Sequence, residues 1–94
     1  MKYITVSNWT MKNWDDSMLP VAQQKFVPMI QKLGATSVNM VRTSDNSMMV
    51  ITKFPDAETA KTVSEKISDI RSEAAKEFKM TLDSVQAGEV VASD

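Results

Sequence analysis

The stretch KYITVSNW, residues 2–9, sets Tyr3, Thr5, Ser7 and Trp9 at alternate positions. Successive side chains of an extended strand point to opposite faces, so these four share one face. An aromatic wall carrying two hydroxyls suits a flat or small organic ligand, or equally the packed core of a subunit interface. Asn39, Thr52 and Phe54 belong to two later strand-like stretches and join the same face in the register expected below. Asn39 and Thr52, expected to sit opposite each other, would orient a ligand carbonyl or satisfy one another. The candidate cavity is therefore Tyr3, Thr5, Ser7, Trp9, Asn39, Thr52 and Phe54.

The residue types that are missing narrow the chemistry. The 94 residues contain no histidine and no cysteine. The commonest general base, the thiolate nucleophile and the usual transition-metal ligands are absent together. Chemistry would rest on carboxylates, Lys, Tyr3 as a proton donor, or acidity supplied by the substrate. No residue stands out as catalytic, and no metal or cofactor is expected. Asp15 and Asp16 are adjacent carboxylates without further ligands, better read as helix caps than as a cation site. Arg42, near a hairpin tip, reads as a solvated edge residue before a carboxylate anchor, and Trp14 as packing for a helix start. A net charge of −1 provides no field for nucleic acid or anionic lipid. Eight methionines are many for this length and point to irregular, adaptable packing.

The elements that must position these residues follow from periodicity. Residues 2–11 alternate as a strand, with Ile4 and Val6 as its expected core face. Leu19, Ala22, Phe26, Ile30 and Leu33 form a helical stripe from about 17 to 33, bent at Pro28 and closed at Gly34 by a left-handed cap. VNMVRTSDNSMMVITKF, residues 38–54, is a hairpin turning at Asp45–Asn46. A symmetric turn pairs Thr43 with Met48, Val41 with Val50 and Asn39 with Thr52. Pro55 then ends the strand and Asp56 caps a helix. Ala60, Val63, Ile67, Ile70, Ala74 and Phe78 carry that helix to about Met80, a length of ~36 Å that calls for a bend around Ser72 or an overhang beyond the sheet. LDSVQAGEVVAS closes the chain as a strand with a bulge or bend expected at Gly88.

The order β-α-β-β-α-β with right-handed crossovers gives a four-stranded antiparallel sheet with both helices on one face. This is the ferredoxin-like α+β arrangement, expected as one domain over residues 1–94. Both hairpin faces are apolar, so a second face remains uncovered. The expectation places Val38, Met40, Met49 and Ile51 under the helices. Val41, Met48 and Val50 then face a second copy of the chain, because an exposed apolar patch marks a binding surface and a symmetric pair covers both at once. The recognition-motif RNA binders share this order, but SMMVITKF lacks their basic, glycine- and aromatic-rich third strand. No run approaches the ~18 apolar residues of a membrane helix, and the N-terminal apolar run is too short for a signal peptide. A cytoplasmic protein with neither nucleic-acid nor membrane partners is expected.

KYITVSNW, VNMVRTSDNSMMVITKFPDAETA and AGEVVAS together resemble the dimeric α/β-barrel proteins of the antibiotic-biosynthesis-monooxygenase type. The resemblance implies a homodimer in which two sheets face each other with helices outside. It also implies a cavity between each sheet and its inner helix or partner elements. Family members include cofactor-independent oxygenases of polyaromatic substrates, haem degraders, and isomerase or lyase relatives. Where oxygenase members carry Asn and Trp on the third strand, this chain has Val50 and Phe54. The aromatic is kept in kind and the amide is lost. Haem degraders need an Asn on the first strand, matching Ser7 or Asn8, and a His and a Trp on the second helix, which this chain lacks. Two functions follow: a cofactor-independent, monooxygenase-like enzyme acting on a small apolar organic molecule, or a non-catalytic dimeric module that binds a ligand or serves structure.

Overall fold

The computed structural model describes residues Met1–Asp94. Strand β1 (Tyr3–Met11) leads through a loop into a helical arm. That arm comprises α1 (Met18–Val21), a wide π-helical turn (Ala22–Phe26) and α2 (Val27–Lys32). The hairpin β2 (Ser37–Ser44) and β3 (Ser47–Phe54) follows, then α3 (Ala57–Thr62), α4 (Ser64–Glu77) and β4 (Met80–Glu89). The four strands form one antiparallel sheet in the order β2-β3-β1-β4. This is the ferredoxin-like α+β fold, with the helices layered on one face.

Local chemistry explains the breaks. Pro28 has no N–H to bond the Gln24 carbonyl and its ring crowds that carbonyl. The wide turn at Ala22–Phe26 directly before it takes up the misfit, so the distortion precedes the proline. Gly34 ends the arm with φ +110°, a conformation that side chains resist. Asp56 caps α3 by accepting the Thr59 N–H at 2.7 Å. The second helix is not continuous: Val63, at φ −103° and ψ 7°, separates α3 from α4, in place of the bend around Ser72 or the overhang expected. α4 alone spans ~21 Å, close to the strands it covers. Between α4 and β4, Lys79 takes a positive φ of 51°, completing the reversal.

The hairpin corrects the expected register. Ser44 faces Ser47 across the Asp45–Asn46 tip, as a symmetric turn requires. Thr43 is then an extra residue, and beyond it Arg42 faces Met48, Met40 faces Val50 and Val38 faces Thr52. Arg42 holds this bulge by donating to the Ser44 and Asp45 carbonyls, and its guanidinium lies 4.1 Å over the Trp14 ring. A shift of one residue moves a strand's whole side-chain set to the other face. Asn39 therefore faces Ile51 and is exposed, not paired with Thr52. The second irregularity in the sheet lies at Asn8/Trp9 against β4, not at Gly88.

The helix-covered face is also the reverse of the one expected on β1. Ser7, Trp9 and Met11 are buried with Met48, Thr52 and Phe54, under Phe26, Ile30, Ile67 and Ala74. Met48 and Val50 thus lie beneath the chain's own helices and not against a second copy. Ile4, Val6, Met49 and Ile51 lie on the open face and are only half-buried, next to exposed Val41. Size decides the inversion: Trp9, Phe54 and Met48 fill the thick space under the helices, which the shorter Ile4 and Val6 would leave hollow. Alternation alone does not separate two apolar faces.

Candidate functional site

Beneath the helices the core divides into two clusters. One gathers Trp9, Met11, Met18, Phe26, Met48, Ala74 and Met80; the other gathers Ile30, Phe54, Ala60 and Ile67. Where they meet, a cavity of about 40 Å³ remains against the middle of β1 and β3. Ser7, Trp9, Met48, Val50 and Thr52 form its floor, and Phe26, Ile67, Ile70, Arg71, Ala74 and Phe78 stand over it. That volume accommodates water but no organic molecule. Alongside it, between the helical arm and the hairpin, lies a hollow of about 280 Å³ that includes Trp14, Leu19 and Ala22. Met40, Met48 and Phe78 line both spaces.

The polar groups at the cavity are few and specifically placed. The Trp9 indole N–H donates to Ser7 Oγ at 2.8 Å, a buried bond between residues two apart on one strand. Ser7 is thereby satisfied as an acceptor while its own hydroxyl proton remains available. Thr52, also buried, is the second hydroxyl, and no fully buried polar side-chain atom in the protein lacks a partner. Arg71 is the one charged side chain lining the cavity. Burial pushes its guanidinium pKa down from the ordinary value, although the group stays charged.

The candidate residues separate by face. Ser7, Trp9 and Thr52 meet at the cavity; Phe54 is packed solid in the neighbouring cluster with Tyr3 against it. Thr5 lies on the same face of β1, half-buried, opposite Thr52. Asn39 lies on the opposite face and takes no part. Arg71 and Met40 join the cavity without having been singled out by sequence reasoning. Arg71 had a visible signal, since it falls four residues after Ile67 and three before Ala74, within the apolar stripe of the helix. Trp14 is held apart from the cavity, its indole donating to Asp16 at 2.7 Å. The Ser17 backbone N–H holds the Asp15 carboxyl below its ordinary pKa in a tight turn before α1, where Ser17 is the N-cap and neither acid's side chain caps the helix, contrary to the expectation. No group of acidic, His or Cys residues is arranged to hold a metal, and no helix is long and apolar enough to cross a membrane.

Chemically, the arrangement offers an apolar chamber with an indole, two hydroxyls and one cation, and no carboxylate or amine to remove a proton. It can bind, orient and exclude water; base chemistry must come from whatever enters.

No protein-family model matches the chain, and no curated protein is significantly similar to it. Solved structures do share its fold. The cofactor-independent oxygenase SnoaB from Streptomyces nogalater superposes with a TM-score of 0.73 at 12% identity, covering 98% of this chain and 95% of that one. A dimeric ferredoxin-like protein from an uncultured marine organism gives 0.68 at 9% identity, covering 99% and 98%. A de novo designed protein, Foldit4, gives 0.63 at 12% identity over 96% and 99%. A designed protein among them makes the point that such likeness speaks for architecture. The chain is similar to these proteins over its full length as a ferredoxin-like fold.

Proposed function

We propose that this protein is a single-domain homodimer that binds a small, largely apolar organic molecule between its sheet and its helices, and acts on it in the manner of a cofactor-independent oxygenase. The observation carrying this reading is the cavity under the helices, where Ser7, Trp9 and Thr52 put polar groups into an otherwise apolar core. Small-molecule sites are mostly apolar with a few placed polar groups of this kind. Displacing the unbranched side chains of Met40 and Met48 joins the cavity to the adjoining hollow. The two spaces together reach the range of small-molecule sites, roughly 300–1,000 Å³. The fold it shares with an oxygenase described as cofactor-independent supports the same reading.

The open face of the sheet supports the dimer. Ile4, Val6, Met49 and Ile51, each only partly buried, form an apolar patch with exposed Val41. A second copy presenting the same patch covers both, and one solved structure of this fold is described as dimeric.

A non-catalytic binding module is the second reading, favoured by Val50 on the cavity floor, where the resemblance called for an amide. Oxygen uptake separates the two. Incubation with a panel of small phenols and aromatic acids is expected to show oxygen consumption with at least one member, abolished in Trp9→Ala protein. Binding without uptake across the panel would establish the module.

A further inference from the structure

We propose that the molecule held under the helices is a carboxylate, and that Arg71 is its anchor. The inference rests on the cavity being the ligand site and adds the ligand's chemical class.

Arg71 is the one charged side chain lining an otherwise apolar chamber, and it has no carboxylate of its own. Both ion pairs in the protein belong to Lys25, which occupies Glu73 at 3.2 Å and Glu77 at 2.8 Å. Those two are the acids of α4 that follow Arg71, and they are drawn to the helical arm. The neighbours that share Arg71's side of a helix are Ile67, Ser68, Ala74 and Ala75, none of them acidic. Asp69, two residues away, points to a different side. A guanidinium partly removed from water without a counter-charge carries a cost in the empty protein, which an arriving anion relieves. Burial is what lowers its proton affinity, with no neighbouring charge acting on it.

The shape of the site selects a carboxylate among anions. Guanidinium presents paired donors in a plane that matches two carboxylate oxygens, whereas the surrounding Ile70, Ala74 and Val50 would take an apolar body and reject a phosphate's third and fourth oxygens. With its head on Arg71, the body of such a ligand lies toward Met48 and Phe78 and into the adjoining hollow, past the Trp9–Ser7 pair. An acid of this kind also brings the charge that the chamber's own residues cannot generate.

The test uses cinnamate and its neutral, equally shaped amide, cinnamamide, with nitrogen-15-labelled protein. The protein has two tryptophans, and a Trp14→Phe variant assigns their indole N–H signals. Trp9 reports on the cavity, and Trp14 on the adjoining hollow that it lines. Cinnamate is expected to move the Trp9 signal and to bind about tenfold more tightly than cinnamamide, as one charge-assisted pair provides. Arg71→Gln is expected to reduce cinnamate to the amide's affinity and leave the amide unchanged. Arg71→Lys, which keeps charge without the planar fork, is expected to retain part of the preference and decides the matter if the Gln variant does not fold. Equal binding of acid and amide by the native protein, or a preference that survives Arg71→Gln undiminished, overturns the anchor while leaving the cavity as a ligand site. Failure of both compounds to move the Trp9 signal overturns the ligand site itself, and the anchor with it.

Discussion

At the scale of single residues, the Trp9–Ser7 pair shows how a polar contact is tolerated in a core. The hydroxyl is buried only because an indole N–H two residues along the same strand reaches it. Ser7→Ala leaves that N–H without an acceptor and is expected to cost about 1–3 kcal/mol of unfolding free energy by urea titration. Ser84→Ala, which breaks an exposed contact with Asn8, should cost no more than about 0.5 kcal/mol. The residue types around the cavity were legible in advance: Ser7, Trp9 and Thr52 announce themselves as polar or aromatic positions among aliphatic ones. Arg71 was legible in principle, as a cation on an apolar stripe, but helix periodicity draws attention to the residues that fit it. What no pattern showed was which of two apolar faces Ser7 and Trp9 occupy, because that depends on the volume waiting under the helices.

The elements hold their positions through a few local devices. Gly34 adopts φ +110°, and a Cβ there would meet Thr59 Cγ2 at 3.0 Å, where the end of the helical arm approaches α3. Gly34→Ala is expected to destabilise by about 1–3 kcal/mol, from backbone strain and that contact, measurable by urea unfolding. Asp56 makes a pH-dependent contribution at the start of α3. The Thr59 backbone N–H, and then its side chain, hold the carboxyl below its ordinary value of 3.8. The folded chain therefore binds that proton less readily than the unfolded one. The stabilisation is present above the ordinary value and is lost as pH falls through the lower, folded one. Asp56→Ala is expected to lower Tm at neutral pH, with the gap from the native protein closing in strong acid; thermal melts at both conditions check it. Caps and strand order were readable because Gly34, Pro55 and Asp56 act locally. The Thr43 bulge was not, since a single extra residue leaves no mark on composition. It nonetheless changed the pairing of β2 with β3: Val38 and Met40 lie under the helices as expected, but beside Thr52 and Val50, and Asn39 left the candidate site.

For the molecule as a whole, the sheet divides the labour between its faces. The helix-covered face keeps the cavity with Ser7, Trp9, Thr52 and Arg71, and the open face offers Ile4, Val6, Val41, Met49 and Ile51 to a second copy. That an apolar face would be left uncovered followed from the element order and the two-sided hairpin. Of the residues that compose it only Val41 was expected there, since alternation does not tell which apolar face of β1 and β3 meets the helices. The division makes pairing separable from binding: Ile51→Lys places a charge at the centre of the open face, on the opposite side of β3 from Val50 and Thr52. Such a variant should be monomeric, keep its fold by circular dichroism, and retain the Trp9 environment. Sedimentation equilibrium of the native chain and of Ile51→Lys tests the claim most directly. The account predicts twice the 10.5 kDa chain mass for the native protein at micromolar concentration and the single-chain mass for the variant. A native protein that sediments as a monomer, or a variant that remains a dimer, would contradict it.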